Sequence, residues 1–206
     1  MQAPLAKGTV KAALLQWAIR FVEEQGYHDL NLDHFSKEYQ VSHAAPYRHF
    51  PSKVALLAEL ARLGFEDLVA TQRRFLAGEP TGSRAQMLAL SAAYVDFLVR
   101  RGQLFDVMWD FTWTEERNPD TAARGQESFQ LFAGAVDDYL RVQEIDPALR
   151  GELLMNIWSF LHGLAVLSLH KPEIVQPTPE KLEQLVRSGM NALLDGYQGC
   201  PDRDSV

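Results

Sequence analysis

A chain of 206 residues with 47% hydrophobic composition is long enough for one large domain or two small ones around a packed core. Its mean hydropathy is slightly negative, and the sequence predicts no apolar run of the roughly 18 residues needed to cross a bilayer, which argues against a membrane protein. The single cysteine, Cys200, rules out an intrachain disulfide or a multi-cysteine metal site and fits a reducing cytoplasm. The net charge of −7 is unevenly spread. Residues 1–53 carry six Lys and Arg against five Asp and Glu, and four of the six histidines, whereas residues 54–206 carry fourteen against twenty-two. A near-neutral, histidine-rich head on an acidic body permits nucleic-acid binding by the head without demanding it. The opening "MQAPLAKGTVKAALL" has no basic segment leading into an uninterrupted apolar one, so no signal peptide is expected.

The first predicted element is a helix. Val10, Ala13, Leu14, Trp17, Ala18, Phe21 and Val22 recur at three- and four-residue steps, and Gly26 follows as a stop. After a short loop, "YHDLN", Asn31 is placed to cap a second helix that buries Leu32, Phe35 and Tyr39. Ser42 is placed to cap a third helix over about residues 43–50. Pro46 would then be its fourth residue, and the lost bond would be the one to the Ser42 carbonyl. So short a helix must be held by packing of Val41 and Phe50 rather than by propensity. "FPSK" breaks it, and Ser52 caps a long fourth helix reaching about residue 77, with Leu56, Leu57, Leu60, Leu63, Leu68 and Val69 on its apolar face.

Two short helices joined by about three residues, the second one polar, form the pattern of a helix-turn-helix whose second helix enters a major groove. "GYHDLNLDHFSKEYQVSHAAPYRHFPSKVALLAEL" strongly resembles the DNA-binding segment of the TetR family of bacterial regulators. The landmarks are Gly26–Tyr27, Asn31, Val41–Ser42, Tyr47, Phe50 and Lys53, a spaced set covering about residues 9–60. The turn position that is usually glycine holds Gln40, which implies a left-handed backbone at a residue with a side chain. Asp33 early in the second helix sets a carboxylate where phosphate would be repelled. In the third helix, His43, Ala44 and Ala45 stand nearest the bases: alanines admit close approach to thymine methyls and His43 can bond a base edge. Ser42, Tyr47, His49 and Lys53, with the capped Asn31 end of the second helix, are placed to hold phosphate oxygens, and Arg48 suits either purpose. The plain alternative is a solvated helix face.

The remainder also reads as helical, giving an all-α chain with a head at 1–53, a linking helix to about 77, and a larger effector-binding and dimerisation domain within 54–206. Met87, Leu88, Ser91, Tyr94, Val95 and Leu98 form one stripe. "GQLFDVMWDFTW" is strongly aromatic, and Phe129, Phe132, Ala133, Val136 and Tyr139 stripe the next helix until Asp146–Pro147. A helix over about 147–169 contains "IWSFLHGLAVL", which resembles a Trp-His-Gly element of one TetR subgroup through Trp158, His162 and Gly163. Pro172, Pro177 and Pro179 punctuate a loop before a last amphipathic helix bearing Leu182, Leu185, Val186, Met190, Leu193 and Leu194. Phe105, Met108, Trp109, Trp113, Phe129 and Phe132, with Trp158 and His162, are candidates to line an apolar effector cavity; ordinary core packing is the alternative. Leu153, Ile157, Leu161, Leu164 and Leu167 are read as the inner face of the 147–169 helix. Trp158, Phe160 and Val166 lie elsewhere around it, and a second apolar face suggests subunit contact. In the resembled family, this helix and the last one, about 180–197, pair with their copies as a four-helix bundle.

No Gly-x-Ser-x-Gly elbow, phosphate-cradling glycine loop or His-Glu-x-x-His is present, so neither an enzyme, a metal site nor a cofactor is expected. The sequence therefore predicts a cytoplasmic, homodimeric regulator, in the form of a repressor that binds a palindromic double-stranded operator and answers to an apolar or amphipathic small molecule. The rival reading is a dimeric helical ligand-binding protein that has lost operator binding.

Overall fold

α1 (Val10–Gln25) buries Leu14, Trp17, Ala18, Phe21 and Val22 along one face, as the periodicity predicts. The computed structural model describes residues 10–110, 119–176 and 178–198. Among them every regular element is helical, with no strand. Gly26 ends α1 at φ +78°, a backbone that glycine adopts without strain. α2 (Leu32–Glu38) starts at Asn31, whose side chain accepts from the Asp33 N–H at 2.9 Å. It closes with Gln40 at φ +52° and the Val41 N–H on the Ser36 carbonyl at 3.1 Å, a Schellman-type end built on a non-glycine residue.

α1 and α2 are joined by ring packing and by one carboxylate. Trp17 lies 5.6 Å from Phe35, edge to face, and both are essentially buried. Glu38 accepts from the Trp17 indole N–H at 2.8 Å and from Arg20 at 3.1 Å. The acid stands at the end of α2, where the helix dipole disfavours it, and these two donors offset that.

α3 (Ala44–Tyr47) is shorter than the sequence predicts, and the connection from α2 is longer. His43, not Ser42, is the cap residue, and its side chain makes no capping bond. Ser42 contributes its carbonyl instead, accepting from the Ala45 N–H at 2.9 Å. That i+3 bond replaces the one that Pro46 cannot give. Pro46 and Phe50 are buried and anchor the helix from beneath, while Ser42, His43, Ala44, Tyr47, Arg48 and His49 are exposed.

α4 (Lys53–Leu76) begins as expected with the Ser52 hydroxyl accepting from the Ala55 N–H at 3.1 Å. α5 (Arg84–Trp109) leaves helical geometry at Arg101 (φ −135°, ψ 33°) and resumes beyond it. α6 (Pro119–Val142) and a 3-10 turn at Pro147–Leu149 lead into α7 (Arg150–His170). The Asp146 side chain accepts from the Ala148 N–H at 2.8 Å in that turn. α8 (Pro172–Val175) is a single turn, and α9 (Pro179–Gln198) starts with the Thr178 hydroxyl accepting from the Lys181 N–H at 3.2 Å.

The chain forms two compact units that are discontinuous in sequence: Met1–Glu66 with Arg101–Gly125, and Asp67–Arg100 with Gln126–Val206. In the first, the post-break part of α5 is tied to the head. Tyr27 donates to Asp110, Arg101 pairs with Glu23, and a Cβ on Gly64 would lie 2.5 Å from the Met108 sulfur, so a larger residue there would push the Met108 side chain aside. In the second, α7 packs Leu153, Ile157 and Leu161 with α9, whose Leu182, Val186, Met190 and Leu194 are buried. Phe160 lies directly over Gly189, where a Cβ would overlap the ring.

Several expectations are corrected. Leu167 is exposed, and Ala165 and Ser168 take the inner face of α7 with Leu154. Phe129 is likewise exposed rather than part of the α6 stripe. Pro147–His170 is long and apolar enough, by length and composition, to cross a membrane, contrary to the reading of the hydropathy. Its apolar character comes from carrying both an inner face and an exposed one. Phe111, Trp113, Pro177 and Cys200 lie outside the described residues.

Gln40 holds a left-handed backbone that glycine adopts without penalty. Gln40→Gly is expected to raise the unfolding free energy by about 0.5–1 kcal/mol, measured by urea denaturation. Asn31→Ala is expected to lower it by about 1 kcal/mol through loss of the α2 cap.

Candidate nucleic-acid interface

The surface that α2 and α3 present is built around Asp33. Its position, two residues after the Asn31 cap, puts it in the first turn of α2, where the Asn31 amide oxygen accepts from its N–H. Its carboxylate oxygen Oδ1 takes two partners from the following helix region: the His43 Nδ1 at 3.3 Å and the Tyr47 hydroxyl at 3.5 Å. The sequence-predicted residues Asn31, His43 and Tyr47 are thus brought together around one residue. The His43 side chain remains 72% exposed, and that of Asp33 41%. Phosphate can only accept, so a tyrosine hydroxyl that grips it must release its proton from Asp33.

Ser42, Ala44, Arg48 and His49 are exposed on the same helix region, and Ala45 is half-buried. Lys53 occupies the first position of α4, and its ammonium donates to the His28 carbonyl. It therefore pins the loop before α2, a role for which its spacing in the sequence gives no sign.

The apolar candidates fall into the two units. In the first, Phe105 stacks on Trp109 at 4.5 Å between centroids, Trp109 lies 5.2 Å from Phe65, and Met108 is fully buried. In the second, Phe129 and Trp158 meet edge to face at 6.4 Å, with exposures of 41% and 39%, and Phe132 is half-buried. His162 lies 5.8 Å from Trp158, and its Nδ1 is 3.2 Å from the hydroxyl of Tyr94. Burial pushes the Tyr94 phenol well up and the His162 imidazole down. In sequence Tyr94 is legible only as a stripe residue; the signal that it would need a partner is that a buried phenol carries a hydroxyl.

Residues 14–60 match the family described as "Bacterial regulatory proteins, tetR family", and residues 87–193, more than half of the chain, match the "Tetracyclin repressor-like, C-terminal domain". The chain belongs to the TetR family, whose members are DNA-binding, ligand-responsive transcriptional regulators and not enzymes. A Rhodococcus sp. RHA1 protein of unknown function is similar at 26% identity and a TM-score of 0.80, over 95% of this chain and 99% of that one. The TetR-family regulator PfmR of Thermus thermophilus shares the fold at 18% identity and a TM-score of 0.67, covering 88% of this chain and 97% of that one. So does the regulator FadR of Bacillus subtilis, solved in complex with stearoyl-CoA, at 14% identity and a TM-score of 0.68, covering 90% and 98%. No curated sequence is similar enough to add to that assignment.

His162 supplies a pH test. Because its folded-state affinity for a proton is lowered by burial from the ordinary 6.5, its contribution to stability is complete above that pH. It is lost as the pH falls below 6.5, where the unfolded chain takes up the proton first. His162→Gln is expected to flatten this acid limb in thermal unfolding between pH 7 and pH 5 (about the imidazole range). Tyr94→Phe, which removes the bond to His162, is expected to destabilise by about 1 kcal/mol at pH 7.

Proposed function

We propose that this chain acts as a homodimeric, effector-responsive repressor whose two heads read a palindromic operator. The observation that carries the reading is the α2–α3 surface, where a four-residue helix anchored by buried Pro46 and Phe50 leaves Ser42, His43, Ala44, Tyr47, Arg48 and His49 outward. Residues at the start of such a helix reach base edges, and the flanking hydroxyls and cations hold phosphates. Two heads related by a twofold axis ask for half-sites about one helical turn apart. The head at 1–53, continuing through the linking helix to about 77, is the DNA-binding domain. Effector binding and dimerisation belong to the helical remainder.

The dimer is assigned to about 147–169 and 180–197. Met155, Trp158, Val166 and Leu167 are exposed on α7, and a Cβ on Gly163 would meet nothing within 4 Å, so another backbone can approach there. An effector of apolar or amphipathic character fits the aromatic side chains of the body, Phe105, Met108 and Trp109 in one unit and Phe129, Phe132, Trp158 and His162 in the other. Stearoyl-CoA in the complex with the similarly folded Bacillus regulator is of that character. An effector acts here only through differential affinity for DNA-competent and DNA-incompetent forms. A reducing cytoplasm is the compartment consistent with these roles.

Selection of random double-stranded DNA by the purified protein at near-physiological salt, read by sequencing, tests the reading. An enriched palindrome is expected; no enrichment by folded dimer would overturn it. On that palindrome, Lys53→Ala is expected to weaken binding uniformly across sequences and to reduce the slope of log affinity against log salt by about 1. Trp158→Glu is expected to shift the protein from dimer to monomer in sedimentation equilibrium.

A further inference from the structure

Asp33 is the feature of the head that the DNA-binding role does not absorb. A carboxylate on a surface that meets phosphate works against affinity, yet this one is aimed at the reading helix. Its Oδ1 lies 3.3 Å from the His43 Nδ1 and 3.5 Å from the Tyr47 hydroxyl. An ionised carboxylate has no hydrogen to give, so both partners must donate to it. For His43 this decides the tautomer. With the proton held on Nδ1, the Nε2 of the neutral ring, on a side chain that is 72% exposed, carries a lone pair and can only accept.

We propose that Asp33 is a specificity-determining positioning residue: by holding the Nδ1 proton of His43 it makes Nε2 an acceptor, so that in each head this contact is made to the amino group of one base pair and never to the acceptors of that pair. In the major groove that amino group is N4 of cytosine or N6 of adenine. Guanine and thymine offer only acceptors there, so within a G·C or A·T pair it is the place of the cytosine or adenine, on one strand or the other, that Nε2 reads. The same carboxylate orients Tyr47 until a phosphate takes its place. The inference rests on the DNA-reading role of the α2–α3 surface and adds which chemistry one position of the operator must have.

The geometry explains why the acid is useful despite its charge. An exposed imidazole without a fixed partner exchanges tautomers and reads donors and acceptors alike. The bond to Asp33 removes that ambiguity while weakening the general attraction to the backbone. Selectivity rises and affinity falls, which is a trade that specific recognition uses elsewhere.

The test is selection and sequencing of random DNA by the full-length protein at about pH 8, above the range in which imidazoles titrate. It uses four proteins: the natural chain, Asp33→Asn, His43→Ala, and the double variant. His43→Ala identifies the operator position that His43 reads, as the column that loses its preference. In the natural chain that column is expected to favour one base pair over the others by about tenfold, the size of one well-placed base contact, and replacing its purine by the 7-deaza analogue is expected to leave affinity unchanged. Asp33→Asn keeps the shape, but an amide can donate as well as accept, so the tautomer is no longer fixed. The preference in that column is expected to fall below about threefold, on the same scale, while the other columns persist. In the His43→Ala background, Asp33→Asn is expected to change no column. A uniform gain in affinity with the column unchanged would show that Asp33 acts only by repelling phosphate, and would overturn the inference. So would a loss of affinity in the natural chain when the purine of that base pair is replaced by its 7-deaza analogue, because N7 is met only by a donor. Absence of any enriched sequence with the natural chain would instead overturn the DNA-reading role beneath it.

Discussion

The reading helix of this protein is too short to exist by itself. Four residues close barely a turn, and the i→i−4 ladder that stabilises longer helices is almost absent. Everything that the head does therefore depends on the seat that α1 and α2 make for α3. Trp17 against Phe35 sets the spacing of α1 and α2, and Glu38 locks it by accepting from both Trp17 and Arg20. Only on that seat can Pro46 and Phe50 be buried and the rest of α3 be turned outward. A proline is well suited to such a place. It adds rigidity and apolar area to the buried side, and the carbonyl that it leaves unbonded is taken by Ala45.

The head and the post-break part of α5 belong to one compact unit, so the head is not a closed module of its own chain segment. Tyr27 on Asp110 and Arg101 on Glu23 attach that segment to the loop after α1 and to α1 itself. The interruption of α5 at Arg101 falls where the chain passes from one compact unit to the other.

Much of this is legible in sequence where one residue type has one physical use. Asn31 and Ser52 are both side-chain caps as read, Gly26 stops α1, and Gln40 adopts the left-handed backbone that the displaced glycine implies. α3 misleads because Ser42 before a helix reads as a side-chain cap, whereas its carbonyl makes the bond and the helix ends within a turn. The inner face of α7 is misphased at Leu167 because a helix apolar on two sides has no unique stripe to read. The Asp33–His43 bond spans a turn, and no spacing rule connects its ends. Those ends are visible separately, one as an unfavourable acid and one as a base contact.

Lys53 carries a consequence of a different kind. Among the described residues its ammonium rests on the His28 carbonyl, a neutral acceptor, and not on a carboxylate. The positive charge is therefore oriented without being cancelled. A cation paired with an acid has to give up that partner before a polyanion gains from it; this one does not. In the proposed operator-binding role its field extends into solvent before contact, so its influence would fall on how fast the head and a duplex find one another. Added salt would then slow encounter more than it hastens departure.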